Sequence, residues 1–243
     1  MNYAIILAAG VGQRMRNGGM PKQFVKLMGK PIVVYTLDKF EQNEDIDKIV
    51  VVCHGDYVEH MTNILKEYNI RKVAKIVVGG SDRQASLVKG LETIRDIGGL
   101  DDDIVVIHDG VRPLVSSNTI YENVRIAKQS GCAVTVHPVT ESVLITEKEF
   151  ASIESFQKRA ATYSMTSPQT FHLGKIISAY QNCDSRENDD LPLLDAAMVY
   201  ANSGEKVSLV KEQGANIKIT TPEDYYVLKA MLELEENKYV FGL

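Results

Sequence analysis

Short runs of β-branched and other apolar residues, separated by amphipathic stretches of helical length, are the feature that most restricts this chain. Tyr3–Leu7, Lys48–Cys53, Lys75–Val78, Ile104–Ile107 and Ala133–His137 are such runs, rich in Ile and Val. Strands apolar at successive positions need cover on both faces, the environment of a parallel sheet between two helical layers. Between the runs, Pro31–Phe40, Tyr57–Tyr68, Asp82–Ile97 and Ser117–Lys128 read as helices, with Pro31 suited to a first helical position and Ser117 to a cap. The alternation predicts an α/β fold: a doubly wound, mostly parallel sheet with helices on both faces and right-handed crossovers.

That order breaks after Val139. Residues 140–165 are polar, and Glu141-Ser142-Val143-Leu144-Ile145-Thr146 alternates in the manner of a hairpin, so an inserted arm is expected there. Helices resume at Gly174–Asn182 and Leu193–Ala201, followed by a strand at Lys206–Val210 and a last helix from Pro222 to about Glu236. No repeat and no Pro/Gly/Ser linker divides the chain, so residues 1–243 are expected to form one domain carrying the 140–165 arm.

With 44% hydrophobic and 24% charged residues, the composition excludes wholesale disorder. The net charge of −5 gives no general attraction to nucleic acid or to an anionic membrane, but leaves room for a local basic pocket. No apolar run approaches the ~20 residues that span a bilayer, and the first residues lack a basic signal region. Cys53, Cys132 and Cys183 are odd in number and without metal-type spacing, which suits reduced thiols in the cytoplasm.

Ligands of open α/β sheets bind beyond the carboxyl ends of the strands. Five segments fall there. Leu7-Ala8-Ala9-Gly10-Val11-Gly12-Gln13-Arg14, with Pro21-Lys22-Gln23, combines a small-residue loop with two cations, a combination suited to phosphate. Met15 occupies the third glycine's place in a dinucleotide fingerprint, and no P-loop occurs. Gly79-Gly80-Ser81-Asp82-Arg83-Gln84-Ala85-Ser86 offers close approach and hydroxyl groups, although Ser81 or Asp82 also reads as a helix cap. His108-Asp109-Gly110-Val111-Arg112-Pro113 places a carboxylate where a hard divalent cation could be held, and His108 reads as a packed histidine. Lys158-Arg159 lies in the arm, followed by Ser167-Pro168-Gln169-Thr170-Phe171. In Asn216-Ile217-Lys218-Ile219, alternation lets Asn216 and Lys218 share one face of a short strand. Cations at 14, 22 and 218 with a carboxylate at 109 suit a nucleoside triphosphate with Mg²⁺. No GxSxG or HExxH is present, and Asp101-Asp102-Asp103, spaced like a glycosyltransferase metal motif, precedes its strand rather than following it.

In this order, the segments resemble the small cytidylyltransferases that activate polyol phosphates. Two branches are similar: 2-C-methyl-D-erythritol 4-phosphate cytidylyltransferase of isoprenoid biosynthesis and ribitol-5-phosphate cytidylyltransferase of teichoic-acid and capsule synthesis. The resemblance implies a homodimer with interlocking arms, CTP and a polyol phosphate as substrates, and Mg²⁺ as cofactor. It implies that Ala8, Ala9, Gly10 and Gly12 wrap the triphosphate while Arg14, Lys22 and Lys218 stabilise charge at the α-phosphorus. It implies that Gly80, Ser81, Asp82 and Ser86 read the nucleoside and that Asp109 stands near the metal. Arg159, with Arg112, Ser142 and Ser167, is implied at the acceptor. Glu141-Ser142-Val143-Leu144 lacks a lysine usual in the erythritol branch, which favours ribitol; Leu7–Gly10 and Arg83–Ser86 favour erythritol, and the erythritol reading stands ahead. A nucleotide-binding module without catalysis is the alternative of a different class.

Overall fold

The computed structural model describes residues 1–10, 20–149, 151–183 and 195–241. In chain order the elements are β1 (Asn2–Ala8), β2 (Lys26–Leu27), β3 (Lys30–Pro31), α1 (Ile32–Glu41), β4 (Lys48–Cys53), α2 (Val58–Glu67), β5 (Val73–Val78) and α3 (Arg83–Asp96). There follow β6 (Ile104–Asp109), α4 (Ser117–Ser130), β7 (Cys132–Pro138), β8 (Leu144–Thr146), β9 (Ile153–Phe156) and β10 (Tyr163–His172). The chain closes with α5 (Leu173–Gln181), α6 (Ala196–Asn202), β11 (Leu209–Lys211) and α7 (Pro222–Phe241). The central sheet has seven strands in the order β11-β7-β10-β6-β1-β4-β5. Every neighbouring pair is parallel except those of β10, which runs antiparallel between β6 and β7.

The apolar runs are strands because both of their faces are buried. Ala4, Ile6 and Ala8 of β1 pack with Val33, Leu37, Met61 and Val124 on one side of the sheet. Tyr3 and Ile5 pack with Leu87, Leu91, Ile176 and Val199 on the other. β4 and β6 divide in the same way, Val51 and Val106 on the first side, Val50 and Val105 on the second. A period of two therefore feeds two cores along β1, β4 and β6, while β5 at the sheet edge leaves Ala74, Lys75 and Val78 exposed.

The chain runs from β1 outward to β4 and β5, then crosses back so that β6 pairs with β1 on its other side. That reversal is a topological switch point, the place where open α/β sheets bind ligands in a crevice beyond the carboxyl ends of their strands. Three of the segments singled out in the sequence leave this edge, those after β1, β5 and β6.

Several local expectations are corrected. β10 was not legible as a strand, because its buried positions Thr166, Ser167, Gln169 and Thr170 are polar and its register shifts between Met165 and Gln169. These side chains are satisfied internally; Gln169, for example, accepts from the Ala197 N–H at 3.1 Å. The expected arm is shorter, since Tyr163–Met165 pair with β7, and the hairpin proper is β8–β9. Ser116, not Ser117, caps α4, accepting from the Thr119 N–H at 3.0 Å. The late strand is Leu209–Lys211 rather than Lys206–Val210, and Lys218 lies in a loop rather than a strand.

Candidate active site

Asp109 ends β6 beside Leu7 of β1, and the following Gly110 N–H donates to the Leu7 carbonyl at 2.9 Å. The β6 backbone thus presents the Asp109 carboxylate at the mouth of the crevice. Three cations converge on it. Lys218 Nζ and Arg112 Nε reach Oδ2 at 3.0 and 3.1 Å, and Arg83 lies 3.7 Å from Oδ1. Arg83 also pairs with Asp195 at 3.0 Å. Burial pushes the Asp109 carboxyl up, but Lys218, Arg83 and Arg112 together outweigh it and hold the group well below the usual carboxylate range. Near neutral pH it is held as an anion.

The crevice is a cleft of about 550 Å³ lined by Ala8, Ala9 and Gly10, by Lys22 and Gln23, by Gly80, Ser81, Asp82, Arg83 and Ser86, and by Asp109 and Lys218, with Leu7, His54 and Val111. Its size suits a nucleotide-sized ligand. Its small-residue wall is set by close packing. A Cβ on Gly79 would stand 2.6 Å from the Ala9 Cβ, and one on Gly80 would stand 2.4 Å from the Ala85 Cβ. Ser86 Oγ accepts from the Gly80 N–H at 3.0 Å, and Asp82 caps α3 by accepting from the Ala85 N–H at 2.8 Å. The cap reading of this segment is correct, and it coexists with a place in the cleft wall. Gln23 is buried and donates to the carbonyls of Ala8 and Gly10 at 2.7 and 3.0 Å, tying the first loop to the turn that carries Lys22.

Of the residues singled out in the sequence, Ala8, Ala9, Gly10, Lys22, Gly80, Ser81, Asp82, Ser86, Asp109 and Lys218 come together in one cleft. Arg14 and Gly12 lie outside the described residues. Arg112 stands behind Asp109 rather than in the cleft lining, with Nη1 donating to the Asn216 carbonyl at 2.8 Å. Ser167, expected at the acceptor, is buried beneath Asp109. Its hydroxyl accepts from the Asp109 N–H at 3.2 Å and lies 3.0 Å from His108 Nδ1. Arg159 and Ser142 meet each other on the exposed arm at 3.4 Å and do not line this chain's own cleft. Arg83, Asp195, Gln23 and His54 acquire roles that the sequence reading did not give them. Arg83 and Gln23 stood inside quoted motifs, but only tertiary contact reveals what they hold. The Asp101-Asp102-Asp103 run is spent on structure: Asp101 pairs with Arg95, and Asp103 with the amino terminus and the Leu100 N–H. It borders a larger, shallower concavity of about 1000 Å³ at the opposite edge of the sheet, where Lys175 and Glu205 also pair at 3.2 Å. The smaller cleft is the better candidate, because it lies at the switch point and gathers cations around one buried carboxylate.

A cleft at the switch point of an α/β sheet, with cations gathered around one carboxylate, is a setting suited to nucleotidyl transfer. The family model described as 2-C-methyl-D-erythritol 4-phosphate cytidylyltransferase matches residues 2–234, and the chain belongs to that family; it is a CTP-dependent nucleotidyltransferase. It is 37% identical, over the full length of both chains, to a ribitol-5-phosphate cytidylyltransferase of Streptococcus agalactiae serotype III. It is 36% identical, again over the full length of both, to one of Vibrio parahaemolyticus. Among solved structures it resembles 4-diphosphocytidyl-2C-methyl-D-erythritol synthase of Anaerococcus prevotii, with 25% identity, 96% of each chain covered and a TM-score of 0.81. It also resembles 2-C-methyl-D-erythritol 4-phosphate cytidylyltransferase of Francisella tularensis, with 29% identity, 93% and 97% coverage and a TM-score of 0.75.

His108 makes the acid sensitivity of this region testable. Burial lowers its imidazole to about 4, against the hydrogen bond with the Arg112 carbonyl, so it is neutral beside Asp109. The unfolded chain takes up this proton near pH 6.5 and the folded one only near 4. The stability that neutral His108 contributes is therefore complete above about pH 6.5 and is lost as the pH falls from there toward 4. Denaturant unfolding should lose about 2 kcal/mol between pH 7 and pH 5 through this group, and His108→Gln should flatten that slope by about the same amount. An unaltered slope would show that His108 titrates normally.

Proposed function

We propose that the cleft binds CTP and that the enzyme transfers its cytidylyl group to D-ribitol 5-phosphate, releasing pyrophosphate. The observation that carries this acceptor is the 36–37% identity, end to end, with ribitol-5-phosphate cytidylyltransferases. The absence of a lysine at Leu144 of the arm agrees with it. 2-C-methyl-D-erythritol 4-phosphate is the second reading, favoured by the family model and by the Leu7–Gly10 and Arg83–Ser86 segments.

In this reading an oxygen of the acceptor phosphate attacks the α-phosphorus of CTP; that P–O bond forms as the bond to the bridging α–β oxygen breaks, and pyrophosphate carries away the electron pair. No covalent enzyme intermediate is needed. Lys22 is assigned to the triphosphate, with Arg14 on the resemblance alone, and Lys218 to the α-phosphate, stabilising charge as it builds. Gly80, Ser81, Asp82 and Ser86 contact the nucleoside. The donor set also suits Mg²⁺: Asp109 Oδ2 takes both short cation contacts, while Oδ1 has only Arg83 at 3.7 Å among the described residues. One carboxylate oxygen plus substrate phosphates is a common magnesium environment. Bound there, the ion would supply charge neutralisation.

The arm supports a homodimer. Leu144, Ile145, Ile153 and Phe156 of the β8–β9 hairpin are all exposed, Phe156 by 70%. A lone two-stranded hairpin is marginal in water, and apolar side chains clustered on one suit a protein interface. A second copy would cover this hairpin and bring Arg159 to the acceptor phosphate of its partner, where a guanidinium can bind two oxygens at once.

Pyrophosphate release from each of the four nucleoside triphosphates, with ribitol 5-phosphate or 2-C-methyl-D-erythritol 4-phosphate, tests the assignment. CTP with ribitol 5-phosphate should give the highest kcat/KM, and omission of Mg²⁺ should stop release. Preference for the erythritol phosphate would reverse the acceptor, and equal rates with ATP would remove the cytidylyl assignment. Mixing Arg159→Ala with Lys22→Ala chains tests the arm. If it serves the neighbouring site, each heterodimer has one intact site and recovers about half of wild-type activity; no recovery in confirmed heterodimers would sink the trans arrangement.

A further inference from the structure

Glu212 lies outside the cleft lining, at the start of the loop that carries Lys218, and its side chain is buried. Both of its oxygens are used. Oε1 accepts from Thr119 Oγ1 at 2.7 Å and from the N–H groups of Gln213 and Gly214 at 3.0 and 3.2 Å. Oε2 accepts from Asn216 Nδ2 at 2.7 Å. No cation pairs with it among the described residues. A buried carboxylate without a counter-ion is costly unless donors surround it, and here four do.

Asn216 passes this anchor on. Its Nδ2 also donates to the Ser167 carbonyl at 2.6 Å, and its Oδ1 has no partner among the described residues, so the two acceptors at Nδ2 set the orientation of the amide. The Asn216 main-chain carbonyl receives Arg112, and two residues later Lys218 reaches Asp109. The far end of the loop is pinned by the Ile219 N–H donating to the Val111 carbonyl at 2.9 Å. Glu212 is therefore the fixed point at one end of a short segment that holds two of the three cations around Asp109.

We infer that Glu212 is a positioning residue for cytidylyl transfer: through Asn216 it sets Lys218 and Arg112 against Asp109. The inference rests on the cytidylyl-transfer reading. Only a group that accepts at both oxygens fits. A glutamine would turn its own Nε2 toward Asn216 Nδ2, donor against donor, and Asn216 would relieve this only by releasing Ser167.

The experiment is a cycle of Glu212→Gln, Lys218→Ala and the double variant, reading kcat for CTP-dependent pyrophosphate release beside thermal melting. Displacement of a positioned group by about an ångström costs ~10²-fold, so Glu212→Gln should lower kcat by roughly 10- to 100-fold in the wild-type background. In the Lys218→Ala background the same substitution should cost clearly less, because one of the two groups it positions is gone. A general structural role predicts equal losses in both backgrounds, and that result, or no loss at all, overturns the inference. Should Glu212→Gln not fold, Thr119→Val, which removes one donor to Oε1, is read in the same cycle and decided by the same two results. A wild type that releases no pyrophosphate from CTP overturns the cytidylyl reading, and the inference with it; loss of coupling in an active enzyme overturns the inference alone.

Discussion

The Asp109 carboxylate is the point on which the site's architecture depends. Lys218, Arg112 and Arg83 come from a late loop, the turn after β6 and the start of α3, and they meet within 3.0–3.7 Å of one side chain. Without an anion at the centre, three cations so close together would repel one another and turn outward to water. The carboxylate tolerates burial because it is surrounded by positive charge, and the cations are fixed because it is there. A cluster of this kind is prepared for phosphate oxygens before any ligand arrives, and electrostatic preorganisation is what phosphoryl and nucleotidyl transfer chiefly require of a protein.

Beneath that cluster lies a layer of polar, hydrogen-bonded groups. Ser167 accepts the Asp109 N–H, and His108 bridges Ser167 and the Arg112 carbonyl without carrying charge. Asn216 and Glu212 extend the layer to the first turn of α4 at Thr119. Buried polar networks are stable only when nearly every polar atom finds a partner, and among the described residues this one leaves Asn216 Oδ1 without one. Two otherwise separate parts of the fold, the polar middle of β10 and the loop before α7, are joined through it to the site.

The sheet was legible where burial on both faces leaves only apolar residues. Lys48–Cys53 was read as the strand it is, and the strands around Ile5, Ile107 and Val134 were located to within two residues at either end. β10 was hidden because it buries Thr166, Ser167, Gln169 and Thr170, whose partners come from α4, α6, β6 and β7 and leave no local pattern. The site shows the same division. Residues that leave strand ends in small-residue loops, such as Gly10, Gly80 and Asp109, could be recognised in the sequence. Arg83, which bridges Asp109 and Asp195, and Glu212, which anchors the Lys218 loop, depend on contacts between elements far apart in the chain.

The central claim, that Asp109 holds its cations in a geometry suited to transfer, is tested most directly by Asp109→Asn. The amide is isosteric but uncharged, so it removes the anion without opening a cavity. Calorimetric titration with CTP and kcat on the same preparation separate binding from chemistry. The account predicts a fall in kcat of about 10²-fold, with the Kd for CTP changed by less than about threefold, because a misdirected cation still attracts a triphosphate but no longer meets the transition state. An unchanged kcat, or a loss confined to Kd, would contradict it.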